Sequence, residues 1–202
     1  MPCSIRFFKN RHKINSAMKK LECYGRCRNE KNDGGKGEGI IEMKGIIKKL
    51  INTILSTDVK CYFILVFIIQ LIPSLILSSF NIDNTNRSVQ IIEQSNNNLI
   101  NFFFMVLIGP IFETIIFQFL LINMVKAFSE GTKYSMLLSI FIPFIIFGFS
   151  HLYNIYYLIF GFLIGIIYSS TYYISQFLRK ENGFVIVLLV HSLNNFLAFI
   201  TN

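Results

Sequence analysis

"LINFFFMVLIGPIFETIIFQFLLINMV", Leu99–Val125, decides the fold. Its 27 residues hold a single acid, Glu113, and no Lys or Arg. A helix needs about 20 predominantly apolar residues to cross the hydrocarbon of a bilayer. The stretch therefore reads as a transmembrane helix with a carboxyl near its middle. A charge at the bilayer centre costs at least about 3 kcal/mol on insertion scales, and such groups usually face a protein interior or a wet cavity. The reason for keeping Glu113 must lie elsewhere in the chain.

Working outward, "CYFILVFIIQLIPSLILSSF" (61–80) is a second run of spanning length, followed by a polar loop over 81–98. Apolar runs at roughly 134–151, 155–175 and 184–200 bring the expected spans to five. Pro73, Pro110 and Pro143 fall inside spans and predict bends. Composition agrees: 53% of residues are hydrophobic and 15% charged, whereas soluble domains carry about 25% charged residues. The expected fold is all-α: a polytopic membrane helical bundle of about five transmembrane helices plus an interfacial amphipathic helix.

The net charge of +8 would suit nucleic acid if it were spread over a folded surface. Instead 14 of the 19 Lys and Arg precede residue 61. Anionic membrane lipid is the expected partner of such a segment, and nucleic acid is not. Residues 1–42 read as a disordered basic tail. "MKGIIKKLINTILST" (43–57) puts Ile47, Leu50, Ile51 and Ile54 on one helical face and Lys44, Lys48 and Lys49 off it. That pattern predicts an interfacial helix over 43–58, ahead of a membrane domain over 61–202. The abrupt change of composition at Met43 suggests that translation starts there. Cys23 and Cys27 lack the second pair that a zinc site of this kind needs, and read as incidental thiols.

With the N-terminus in the cytoplasm, 18 basic residues fall on the inner side and Arg87 alone outside. This is the positive-inside pattern. It predicts an integral, multi-pass protein, with the plasma membrane as the expected location.

Ten of the eleven acids lie outside the spans, leaving Glu113 inside; His151 and His191 lie in or at the ends of spans. His191 and Asn195, in "HSLNN", are four apart and share a helical face. So do Phe147 and His151, in "FGFSH". A carboxylate and an imidazole can hold and deprotonate a water. A second imidazole and an amide N–H can stabilise a developing oxyanion. Three polar elements on three spans thus suit hydrolysis, if the fold gathers them. Upright helices would not: by residue count His191 falls towards the cytoplasmic face, Glu113 at mid-depth and His151 towards the outside.

These segments, "GPIFETIIFQ", "FGFSH" and "HSLNN", resemble the EExxxR, FxxxH and HxxxN motifs of the CPBP family of intramembrane proteases. That family is the CAAX protease and bacteriocin-processing (Abi) group, including type II CAAX prenyl endopeptidases. The resemblance covers roughly residues 100–200. It implies that Glu113 and His151 activate water and that His191 and Asn195 form the oxyanion hole. It implies an endopeptidase acting on a membrane-associated protein or peptide, such as a prenylated protein or a bacteriocin precursor. Thr114 and Gln118 stand where the family has its second Glu and its Arg. Loss of both charges together is coherent, because removing one would strand the other in low dielectric. A neutral Thr114–Gln118 hydrogen bond is the expected replacement.

Glu113, His151 and His191 would also be the ligands if a metal is used, Zn²⁺ with an open water position being the candidate. The alternative function is a non-catalytic bacteriocin-immunity or scaffold membrane protein of the same fold. A small transporter or proton relay is a third reading, disfavoured because the sequence shows no inverted repeat.

Overall fold

The computed structural model describes residues 37–78, 97–152 and 154–201. The expected tail before residue 37 and most of the 81–98 loop lie outside them. Among the described residues six helices follow one another: α1 Gly37–Ser56, α2 Val59–Ser78, α3 Asn98–Phe128, α4 Ser135–Phe149, α5 Ile155–Arg179 and α6 Gly183–Thr201. Among the described residues there is no strand.

Two compact units divide the chain, residues 1–62 and 63–202. In the first, α1 begins at Gly37 and runs unbroken through Met43. It leaves Ile46 and Leu50 exposed. After Ser56 the chain turns at Asp58, whose carboxylate accepts the Lys60 N–H at 3.0 Å, starting α2.

The second unit has polar groups inside and apolar groups outside. Gln70, Thr114, Gln118, Ser139, Ser169 and Ser175 are fully buried, while Ile68, Phe112, Phe119, Phe141 and Leu189 are exposed. Lipid rewards the second set and penalises unpaired members of the first. Helices α2, α3, α5 and α6 are long and apolar enough to cross a membrane. The fifth expected span is α4, with 15 residues. At 1.5 Å per residue it is about 22 Å long, short of the roughly 30 Å hydrocarbon layer. A helix that starts at one face therefore ends inside the layer.

Helix α3 carries two π-helical segments, Phe103–Ile108 and Thr114–Leu120, with the α-helical turn Gly109–Glu113 between them. In the first, the Gly109 N–H bonds to the Phe104 carbonyl, five residues back. The next bond in that register would run from residue 110 to Met105. Pro110 has no N–H to give, so the Met105 carbonyl is left over.

The α3–α4 and α5–α6 turns share one end of this unit, because Lys126 Nζ lies 4.7 Å from the centre of the Phe177 ring. The α5–α6 turn is tight. Lys180 adopts the left-handed conformation at φ 60°. Arg179 pairs with Glu181 through two 2.8 Å contacts, and the Gly183 N–H reaches Gln176 Oε1 at 3.1 Å.

Candidate active site

Helices α3 and α6 run antiparallel and meet along four rungs. Phe102 packs on Phe199 with ring centres 5.6 Å apart. Asn195 Nδ2 donates to the Met105 carbonyl at 2.9 Å. Glu113 Oε2 stands 3.6 Å from His191 Nε2. Phe119 packs on Phe184 at 6.1 Å. The second rung explains Pro110: the carbonyl that its ring leaves over is the one Asn195 holds. Asn195 is thereby engaged through one N–H and retains the other. Its neighbour Asn194 accepts a bond from Ser74 of α2 at 2.9 Å.

The spacing reading of "HSLNN" is met, since His191 and Asn195 both face α3. Glu113 and His191 are drawn together despite their different depths by residue count. Glu113 closes the turn between two π segments, and such segments shift every later side chain relative to a regular α-helix. The His191 side chain is 6% exposed and that of Glu113 35%. The imidazole is sealed in, and the carboxyl is open to an approaching molecule.

His151 follows α4 in a turn. Its Nδ1 lies 2.9 Å from the Phe147 carbonyl and 3.0 Å from Ser150 Oγ. A carbonyl can only accept, so Nδ1 carries the proton and Nε2 is the basic nitrogen. Phe147 and His151 sit four apart, as read from "FGFSH", with rings 4.6 Å apart. The imidazole reaches the rest of the site through an aromatic column. Phe147 lies 6.1 Å from Tyr168, and Tyr168 lies 4.8 Å from His191.

Two features of the column are not apparent from the ionisable residues. Gly161 and Gly165 form a GxxxG step that lets α5 approach α4 closely. A Cβ at Gly161 would lie 3.0 Å from the His151 Cβ, and one at Gly165 would lie 3.0 Å from the Phe147 ring. The G-x-x-x-G spacing inside an apolar run was the available signal. Tyr168 is placed by the hairpin: Gln176 and Gly183 face each other, and eight residues further along each helix are Tyr168 and His191.

One expectation is corrected. Thr114 and Gln118 do not bond to each other. Both are fully buried, and Thr114 Oγ1, Gln118 Oε1 and Gln118 Nε2 have no partner. The side chains share a buried face without converging. A metal is also poorly accommodated. Among the described residues no three His, Cys, Asp or Glu side chains form a group that could hold one. Glu113 and His191 would supply two ligands, and His151 does not complete the set.

The Rce1-like type II CAAX prenyl endopeptidase family model matches residues 95–197. No curated protein and no solved structure matches the chain. Glu113, His151, His191 and Asn195 all fall inside the matched segment, which is about half of the 202 residues. The chain belongs to the Rce1-like type II CAAX prenyl endopeptidase family, a family of intramembrane proteases.

Proposed function

We propose that this protein is an intramembrane endopeptidase in which Glu113 and His151 activate water. The observation that carries the reading is the 3.6 Å approach of Glu113 Oε2 to His191 Nε2, with the carboxyl partly open and the imidazole sealed. A single oxygen can sit at hydrogen-bond distance, about 2.8 Å, from both atoms. Glu113 takes a proton from that water, and His151, separated from the pair by the Phe147–Tyr168 column, offers a second basic nitrogen in Nε2. The hydroxide adds to the carbonyl carbon of the scissile bond. His191 and the second N–H of Asn195 donate to the carbonyl oxygen as it gains charge. Glu113 then returns the proton to the departing amine nitrogen as the C–N bond breaks.

The substrate is a membrane-associated protein or peptide, either a prenylated protein or a bacteriocin-type precursor. The basic segment of α1 lies on anionic lipid with the N-terminus in the cytoplasm, and the plasma membrane is the proposed location. Among the described residues no three His, Cys, Asp or Glu form a ligand set, and Glu113 acts on the water as a general base.

The test is cleavage by the full chain in lipid nanodiscs, using prenylated C-terminal peptides and unprenylated precursor peptides. Wild type should cleave, and Glu113→Gln should lose about 10²- to 10⁴-fold in rate. Equal turnover by the two proteins would sink the hydrolase reading. One observation favours a second reading, a non-catalytic immunity or scaffold protein: the uncharged, unpartnered Thr114 and Gln118 beside Glu113. Peptide binding or toxin protection that persists unchanged in Glu113→Gln, without cleavage by wild type, is its signature.

A further inference from the structure

We propose that Tyr168 is a catalytic residue of this site, its phenol donating a hydrogen bond to the substrate oxygen that gains charge during attack. This rests on the hydrolase reading above and adds a donor to it. Three observations support it.

Tyr168 occupies the middle of the site. Its ring contacts His191 at 4.8 Å on one side and Phe147 at 6.1 Å on the other. Phe147 is the residue whose carbonyl orients His151.

The hydroxyl is not needed for packing. Tyr168 is fully buried and its Oη has no protein partner. Phe would keep both ring contacts and avoid burying an unpaired O–H, which is unfavourable. The chain uses Phe 22 times, so aromatic filling does not call for Tyr. The neighbouring Tyr172 differs, because its Oη accepts a bond from Asn123 at 2.8 Å.

The oxyanion donors named above are two, His191 and one N–H of Asn195, and the phenol adds a third. Asn195 spends one N–H on the Met105 carbonyl, leaving one for substrate. A tetrahedral oxyanion is best held by several preorganised donors, and the Tyr168 O–H is a buried, unpartnered donor on a ring packed against His191. No covalent bond to tyrosine forms, and the phenol keeps its proton throughout.

The experiment compares wild type, Tyr168→Phe and Glu113→Gln for steady-state cleavage and thermal unfolding in nanodiscs. Tyr168→Phe should lower kcat by about 10²- to 10³-fold, with KM changed less than about twofold and the melting temperature unchanged or raised. Undiminished kcat in Tyr168→Phe, alongside an inactive Glu113→Gln, overturns the role of the tyrosine and leaves the hydrolase standing. A parallel fall of melting temperature and kcat in Tyr168→Phe also overturns it, by showing a packing role. Equal cleavage by wild type and Glu113→Gln overturns the proposal together with the hydrolase reading.

Discussion

At the scale of single residues, the site combines an open carboxyl with a sealed imidazole. Glu113 and His191 approach each other in a setting where either would be costly alone. Beside them, Thr114 and Gln118 are buried without partners. An unpaired buried polar group costs about 1–3 kcal/mol, so this pair is a weak point in the packing. Its chemistry yields a prediction. Thr114→Glu alone introduces a buried charge without a partner, a loss of about 3–5 kcal/mol, and should lower the melting temperature. Gln118→Arg alone should do the same. The double variant should recover a large part of both losses, because the two positions share a buried face. Thermal unfolding in nanodiscs checks this; additive losses would show that the two side chains cannot reach each other.

At the scale of the helices, the register between α3 and α6 is set by a missing hydrogen bond. Pro110 cannot donate to Met105, and Asn195 makes up the difference at 2.9 Å. Buried polar contacts between membrane helices contribute roughly 0.6–2 kcal/mol. Asn195→Ala should therefore lower stability by about that amount and misplace Glu113 against His191, reducing cleavage as well. Pro110→Ala restores an N–H where the Met105 carbonyl can be reached. In that background Asn195→Ala should cost less, with a coupling of about 0.5–2 kcal/mol in a double-mutant cycle. Strict additivity would show that the carbonyl is satisfied in some other way. The α4–α5 contact works differently. It depends on bare backbone at Gly161 and Gly165, which leaves the space that His151 and Phe147 occupy.

At the scale of the whole molecule, basic residues gather at one end of the second unit. Lys126 and Lys133 flank the α3–α4 turn, Arg179 and Lys180 flank the α5–α6 turn, and the Lys126–Phe177 contact puts those turns at one end. With Cys3, Cys23, Cys27 and Cys61 replaced by Ala, single cysteines at 133 and 180 should react with an impermeant thiol reagent only after the cytoplasmic face is opened. A cysteine at 87 should react from outside in intact cells. Labelling of 133 and 180 from opposite sides would break the bundle topology. The sequence by itself determined the solvent, the helices and the ingredients. Apolar runs of spanning length, one intramembrane acid and two late imidazoles can be read locally, because lipid penalises any unpaired polar group whatever its neighbours. The i,i+4 faces of His191 with Asn195 and of Phe147 with His151 were legible for the same reason: helix geometry alone fixes them. Tertiary structure alone decided how groups at different depths meet. The π segments of α3, the short α4, the Asn195–Met105 bond and the glycine step of α5 depend on contacts between segments far apart in sequence. That is also why Thr114 and Gln118, a plausible hydrogen-bonded pair by spacing, proved to be two buried side chains without partners.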